Sequence, residues 1–212
     1  SIQMNRDRLR RRIGIVDQRQ PGGDLQLVAT LNTPAVVAES DRVRITAVRW
    51  RVFDDADAEG LLLEPTDGVR ALVVAVPDAD STPERLAGLD PLAPPQAAIA
   101  LRLAEAGCRV LVPTLIDRNT TWSGNPRVRM TNQTHREFIY RQAFLMGRHL
   151  IGYEVQMVLA GVDYFSALPQ ESEQPIGVAG YGEGALIAFY AAAVDDRIDS
   201  ALVSGYFQPR EQ

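Results

Sequence analysis

Residues 175–190 read Pro-Ile-Gly-Val-Ala-Gly-Tyr-Gly-Glu-Gly-Ala-Leu-Ile-Ala-Phe-Tyr, and no other stretch restricts the fold of this chain so tightly. A short apolar run, residues 176–179, meets glycines at alternate positions, Gly180, Gly182 and Gly184. A run of small and apolar residues, 185–193, follows at once and favours a helix. Glycine at alternate positions between a strand and a helix supplies positive φ and lets backbones approach closely. The pattern predicts a strand, a sharp turn and a helix in immediate succession.

The preceding chain supplies the matching sheet. Residues 71–76 are continuously apolar, as expected of a strand covered on both faces. Residues 81–95 carry Pro83, Pro91, Pro94 and Pro95 and are expected to loop, with one helical turn at most. Residues 96–106 place Ile99, Leu103 and Ala106 on one helical face and stop at Gly107, and residues 109–115 form the next strand. Strand, helix, strand in so short a span is a βαβ unit with a right-handed crossover. Earlier, residues 25–31 are a candidate first strand, and residues 43–53 alternate as an edge or half-buried strand. The acidic residues 54–60 read as a solvated hairpin turn leading to Leu61-Leu62-Leu63. Asp55, Asp57, Glu59 and Gly60 imitate the start of a calcium loop, but Thr66 stands where the closing bidentate Glu belongs, so that reading fails. Later, residues 136–148 and 152–168 are expected helices, the second with Val155, Val158, Leu159 and Val162 in one stripe. Residues 201–204 make a last strand.

Composition narrows the class. The 212 residues, 46% hydrophobic and 23% charged, suit one globular domain, and the net charge of −5 argues against a general nucleic-acid binder. All 22 basic residues are arginine, which points to a GC-rich, bacterial genome. No apolar run is long enough to cross a bilayer. The lone Cys108 leaves no internal disulfide and reads as a core thiol. Residues 1–24, with Arg6, Arg8, Arg10, Arg11 and Arg12 and the turn signal Pro21-Gly22-Gly23-Asp24, are expected to be a solvated basic extension before a domain of residues 25–212. A chain that opens at Ser1 and stops just after a strand is expected to be a piece of a longer protein, continuing after residue 212.

Gly180-Tyr181-Gly182-Glu183-Gly184-Ala185, set late in the chain between residues 176–179 and a small-residue helix, resembles the α/β-hydrolase superfamily. Within it the similarity is to dienelactone hydrolases and acetyl-xylan-esterase-like hydrolases, over roughly residues 43–207. Dienelactone hydrolases carry Gly-Tyr-Cys-x-Gly-Gly at this turn, matched here by Gly180, Tyr181 and Gly184, and residues 196–206 look like the next strand of such esterases. The resemblance implies an α/β fold: a mostly parallel sheet with helices on both faces, cut off before its last strands. It also implies carboxylic-ester hydrolase ancestry, a small-molecule ester or sugar ester as ligand, and no cofactor or metal. Carried over by position, the nucleophile falls on Gly182, which has no side chain. The N–H of Glu183 becomes one oxyanion donor, and the loop around Asp78 supplies the other. The family's acid and His follow the nucleophile in chain order, whereas His135 and His149, the two histidines present, both precede Gly182.

Several readings stay open. Glu183 as a nucleophile in a shifted register would put Tyr181 where the turn wants a small residue. Gly180-x-Gly182-x-x-Ala185 is also a minimal dinucleotide fingerprint, but Ser204-Gly205-Tyr206 follow Val203 where an acidic residue should confirm it. Asp117, Arg118, His135 and Arg136 either line a pocket or belong to a surface helix opened by the capping box Thr134 to Glu137. Asn119 and Asn132 fit a glycosylation triplet that carries little weight in a bacterial chain. Functionally, the chain is either an esterase whose acid and His lie beyond residue 212 or a non-catalytic hydrolase-like domain. By itself it is expected to be inactive on esters.

Overall fold

The computed structural model describes residues 1–20, 23–120, 127, 132–171 and 173–207. The turn signal at Pro21-Gly22, most of the polar stretch 121–131 and the last residues of the chain lie outside the described residues. In chain order the elements are α1 (Ile2–Arg12), β1 (Gln26–Leu27), β2 (Val36–Glu39), β3 (Val43–Phe53), β4 (Ala56–Pro65), β5 (Ala71–Val76), α2 (Pro83–Leu86), α3 (Ile99–Glu105) and β6 (Cys108–Pro113). They continue with α4 (His135–Leu145), α5 (Leu150–Ser166), β7 (Ile176–Tyr181), α6 (Glu183–Val194) and β8 (Ser200–Ser204). Among the described residues no helix is long and apolar enough to cross a membrane.

The strands form one open sheet in the order β1-β3-β4-β6-β5-β7-β8, with β2 also paired to β3. From β6 through β5 and β7 to β8 all pairs are parallel, while β1, β2, β3 and β4 join through antiparallel pairs. The alternation of side chains along each strand divides the core. Leu72, Val74, Val76 and Leu111 face one layer with Val155, Val158, Leu159 and Phe165 of α5 and Leu186 and Ile187 of α6. Val73, Ala75, Val110 and Val112 face the other, with Leu86, Ala100 and Ala104 from α2 and α3. Residues 71–76 had to be apolar throughout because both of their faces are covered.

Where structure and sequence reading differ, the reason is pairing at a distance. β3 is no edge strand, since β1 and β2 pair along one side and β4 along the other. The expected first strand shrinks to Gln26–Leu27, both exposed. Only Asp54 and Asp55 make the hairpin turn; Asp57 and Glu59 are already in β4, paired across the hairpin with Arg51 and Arg49. α3 starts at Ile99 because Pro94 and Pro95 lead into a separate short turn, and Gly107 ends it at φ 94° as expected.

The Arg-rich arm is helical and docked rather than free. Arg6 pairs with Asp196, Arg10 donates to the carbonyl of Val194, and Ile13 is buried. Arg19 pairs with Asp163 of α5, and Arg197 bridges Asp163 to Asp195 at the end of α6. Burial alone would raise the pKa of Asp195, but hydrogen bonds from Arg197 outweigh it and hold the carboxyl below its ordinary value. A group lowered in this way stabilises the fold above its unfolded pKa, and that contribution is lost as pH falls through the folded value. We therefore expect Asp195→Asn to lower the denaturation midpoint at pH 7, with the gap to wild type closing as pH drops below about 4. A gap unchanged with pH would show that the ionised pair contributes nothing.

Candidate functional site

Each glycine of the turn answers a different demand. Gly182, at φ 58° and ψ −127°, has a backbone that strains any residue with a Cβ. A Cβ on Gly180 would lie 2.2 Å from the carbonyl oxygen of Gly184, and one on Gly184 would lie 2.3 Å from that of Val76. The outer glycines thus let β7, α6 and β5 meet backbone to backbone. The N–H of Gly182 donates to Ser204 at 3.0 Å, which ties the turn to the end of β8.

The structure brings Gly182, Glu183 and Asp78 together, with Asp78 entering as an acceptor. Its Oδ1 accepts the backbone N–H of Glu183 at 2.8 Å. A Cβ built on Gly182 would fall 2.6 Å from the same oxygen. The carboxylate therefore fills the space that a residue-182 side chain would need, and it holds the amide expected to face an oxyanion. It also sits at the N-terminus of α6, where negative charge is favoured.

The Glu183 side chain is fully engaged. Arg136 donates to one carboxylate oxygen at 2.9 Å and Arg118 to the other at 3.0 Å. Arg118 also reaches Asp80, and Arg136 holds both oxygens of Glu154 and the carbonyl of Ile116. Arg136 and Glu154 are 8% and 2% exposed, so each charge depends on the other. Burial pushes the Glu154 carboxyl up, with Arg136 opposing it. The positive φ belongs to Gly182, and Glu183 is pinned by two guanidiniums, so the shifted-register nucleophile finds no support. The dinucleotide reading fares no better, because the amide at the start of α6 already carries a carboxylate.

Both histidines make contacts of their own. His135 Nδ1 lies 3.0 Å from Asp117, and His149 caps α5, its Nδ1 accepting the N–H of Ile151 at 3.1 Å. Burial, then the charge of Arg136, lowers the pKa of His149. Thr134 does cap α4, accepting the N–H of Glu137, while Arg136, between them, enters the charged network; Arg118 and Arg136 line the cleft beside Glu183, whereas Asp117 and His135 do not. Sequence reasoning missed Glu154, whose one signal was an acid one residue before the apolar stripe of α5. Among the described residues no group of His, Cys, Asp and Glu is placed to hold a metal.

Two cavities flank the turn. One, of about 540 Å³, opens between α1, α4, α5 and α6 beside Glu183. The other, of about 660 Å³, lies on the α2 and α3 side and is lined by Asp78, Tyr181, Ala75, Ala179 and Leu202 among others. We expect Gly182→Ala to cost about 1–3 kcal/mol from positive φ alone, plus the collision with Asp78. Chemical denaturation should show a smaller cost in an Asp78→Ala background. Equal costs in the two backgrounds would mean that Asp78 does not occupy that space.

The sequence model of the dienelactone hydrolase family matches residues 85–209, from α2 through the glycine turn to β8 and beyond. A comparison with curated proteins finds no match. Among solved structures, a Bacteroides fragilis protein assigned as an acetyl xylan esterase is similar with a TM-score of 0.67 at 14% identity, covering 94% of this chain and 52% of that one. A methylesterase, BT1017, gives 0.59 at 15% identity, covering 94% and 40%. Acetyl xylan esterase 1 from Thermoanaerobacterium sp. gives 0.53 at 14% identity, covering 94% and 56%. At these identities the likeness is one of fold, and the chain spans about half the length of the structures it matches. The α/β-hydrolase architecture and the ester-hydrolase ancestry expected from the glycine turn therefore stand. With a family match over more than half its length, the chain belongs to the dienelactone hydrolase family.

Proposed function

We propose that this domain keeps the hydrolase turn without running acyl transfer at residue 182, and that it binds a small ester or sugar-like molecule beside the turn. The observation that carries this reading is the Asp78 carboxylate on the Glu183 N–H, in the space a nucleophile would need. Acyl transfer through such a turn requires a nucleophile, a base to activate it, and free donors aimed at the oxyanion. Gly182 offers no attacking atom. A developing oxyanion about 4 Å from the Asp78 carboxylate would meet a repulsion of about 4 kcal/mol at an effective dielectric of about 20. His135 and His149 are engaged with Asp117 and with the start of α5.

A second reading keeps the activity and places the acid and His in a chain that continues after residue 212. It is favoured by the half-length coverage of esterase structures and by β8, whose residues are mostly exposed where strands of a parallel sheet are normally covered. Both readings expect residues 1–212 to be inactive on p-nitrophenyl acetate, and they separate on the same assay of a longer chain, where turnover would favour the second. Residues 1–212 should show no turnover above the buffer rate. Turnover that survives in wild type and disappears in Asp78→Ala would instead make Asp78 a participant and overturn the binding reading.

A further inference from the structure

We infer that the cleft beside Glu183 is a binding site for a small organic oxyanion with an apolar body, a carboxylate or a phosphate ester, anchored by Arg12 of α1. The inference deepens the binding reading above and rests on it.

The cleft, of about 540 Å³, is within the range of small-molecule sites. Its wall is partly built by residues the family match does not include, since α1 lies outside residues 85–209. That wall is held by specific contacts. Arg6 and Arg10 tie α1 to the end of α6, and Ile13 is buried. Gly14, at φ 80°, passes so close to α5 that a Cβ there would lie 2.3 Å from the backbone nitrogen of His149. Arg12 is thus delivered to the cleft mouth by a built contact.

The polar groups left to meet a ligand can each donate a hydrogen bond. Both lining carboxylates are already held, Glu183 by Arg136 and Arg118, and Glu137 by Arg141. The Arg12 guanidinium has no hydrogen bond or ion pair among the described residues, although it lines the cleft. His149 accepts the Ile151 N–H at Nδ1, which places its proton on Nε2 as a further donor. Tyr140, Tyr190 and Tyr206 add hydroxyls. Ile13, Leu150 and Leu186 provide apolar walls. One uncompensated cation, several neutral donors and apolar sides fit a single anionic head group on an apolar body.

The test is calorimetric titration of the 1–212 chain with sodium benzoate, phenyl phosphate and benzyl alcohol. None of the three carries a carboxylic ester, so the outcome is independent of whether the protein hydrolyses esters. We expect saturable binding of at least one of the two anions, and the tighter one identifies the head group. Benzyl alcohol should bind at least about tenfold more weakly, and Arg12→Ala should weaken the anion about tenfold or more. Arg8→Ala, on the same helix but away from the cleft, should bind as wild type does. The proposal is overturned if neither anion binds, if benzyl alcohol binds as well as the anions, or if Arg12→Ala leaves their affinity unchanged.

Discussion

The hydrogen bond from the Glu183 amide to the Asp78 carboxylate, at 2.8 Å, joins the loop after β5 to the first residue of α6. Two features of the chain make it possible. Gly182 has no Cβ, so the carboxylate can enter the turn, and Gly180 and Gly184 let β7, α6 and β5 approach until backbone meets backbone. A helix start whose amide is satisfied by an internal carboxylate also needs no outside anion. The turn thus carries its own anion at the Glu183 amide.

The charges around the turn reinforce this. Glu183 points away from residue 182 toward Arg136 and Arg118, and Arg136 in turn links α4 and α5 through the buried Glu154. Such an ensemble is strongly coupled, because removing one partner leaves another charge buried and unmatched. It fixes the floor of the cleft. The wall comes from α1, a helix outside the family match.

What was legible in the sequence was local. The apolar run of residues 71–76, the stripe on α5 and the glycine turn each carry a short-range pattern that only one backbone conformation satisfies. The position of Gly182 in the turn, and its lack of any attacking atom, were readable directly. The resemblance put the Asp78 loop near the Glu183 amide, but as a donor; the acceptor role of Asp78, and Glu154 altogether, were not readable. Asp78 stands 105 residues from Glu183, after a proline that marks it only as loop, and Glu154 reads as a stray acid until α4 brings Arg136 to it. The central place of β3 was hidden for the same reason, since alternation reports which face is buried and says nothing about who pairs at the edges.

The central claim is that Asp78 holds the amide at the head of α6. Backbone amide NMR of wild type and Asp78→Ala tests it most directly. In wild type the Glu183 amide proton should be downfield and exchange-protected; once Asp78 is removed it should move upfield and exchange faster, while the α5 amides stay in place. A Glu183 amide with the same shift and the same protection in both proteins would contradict it.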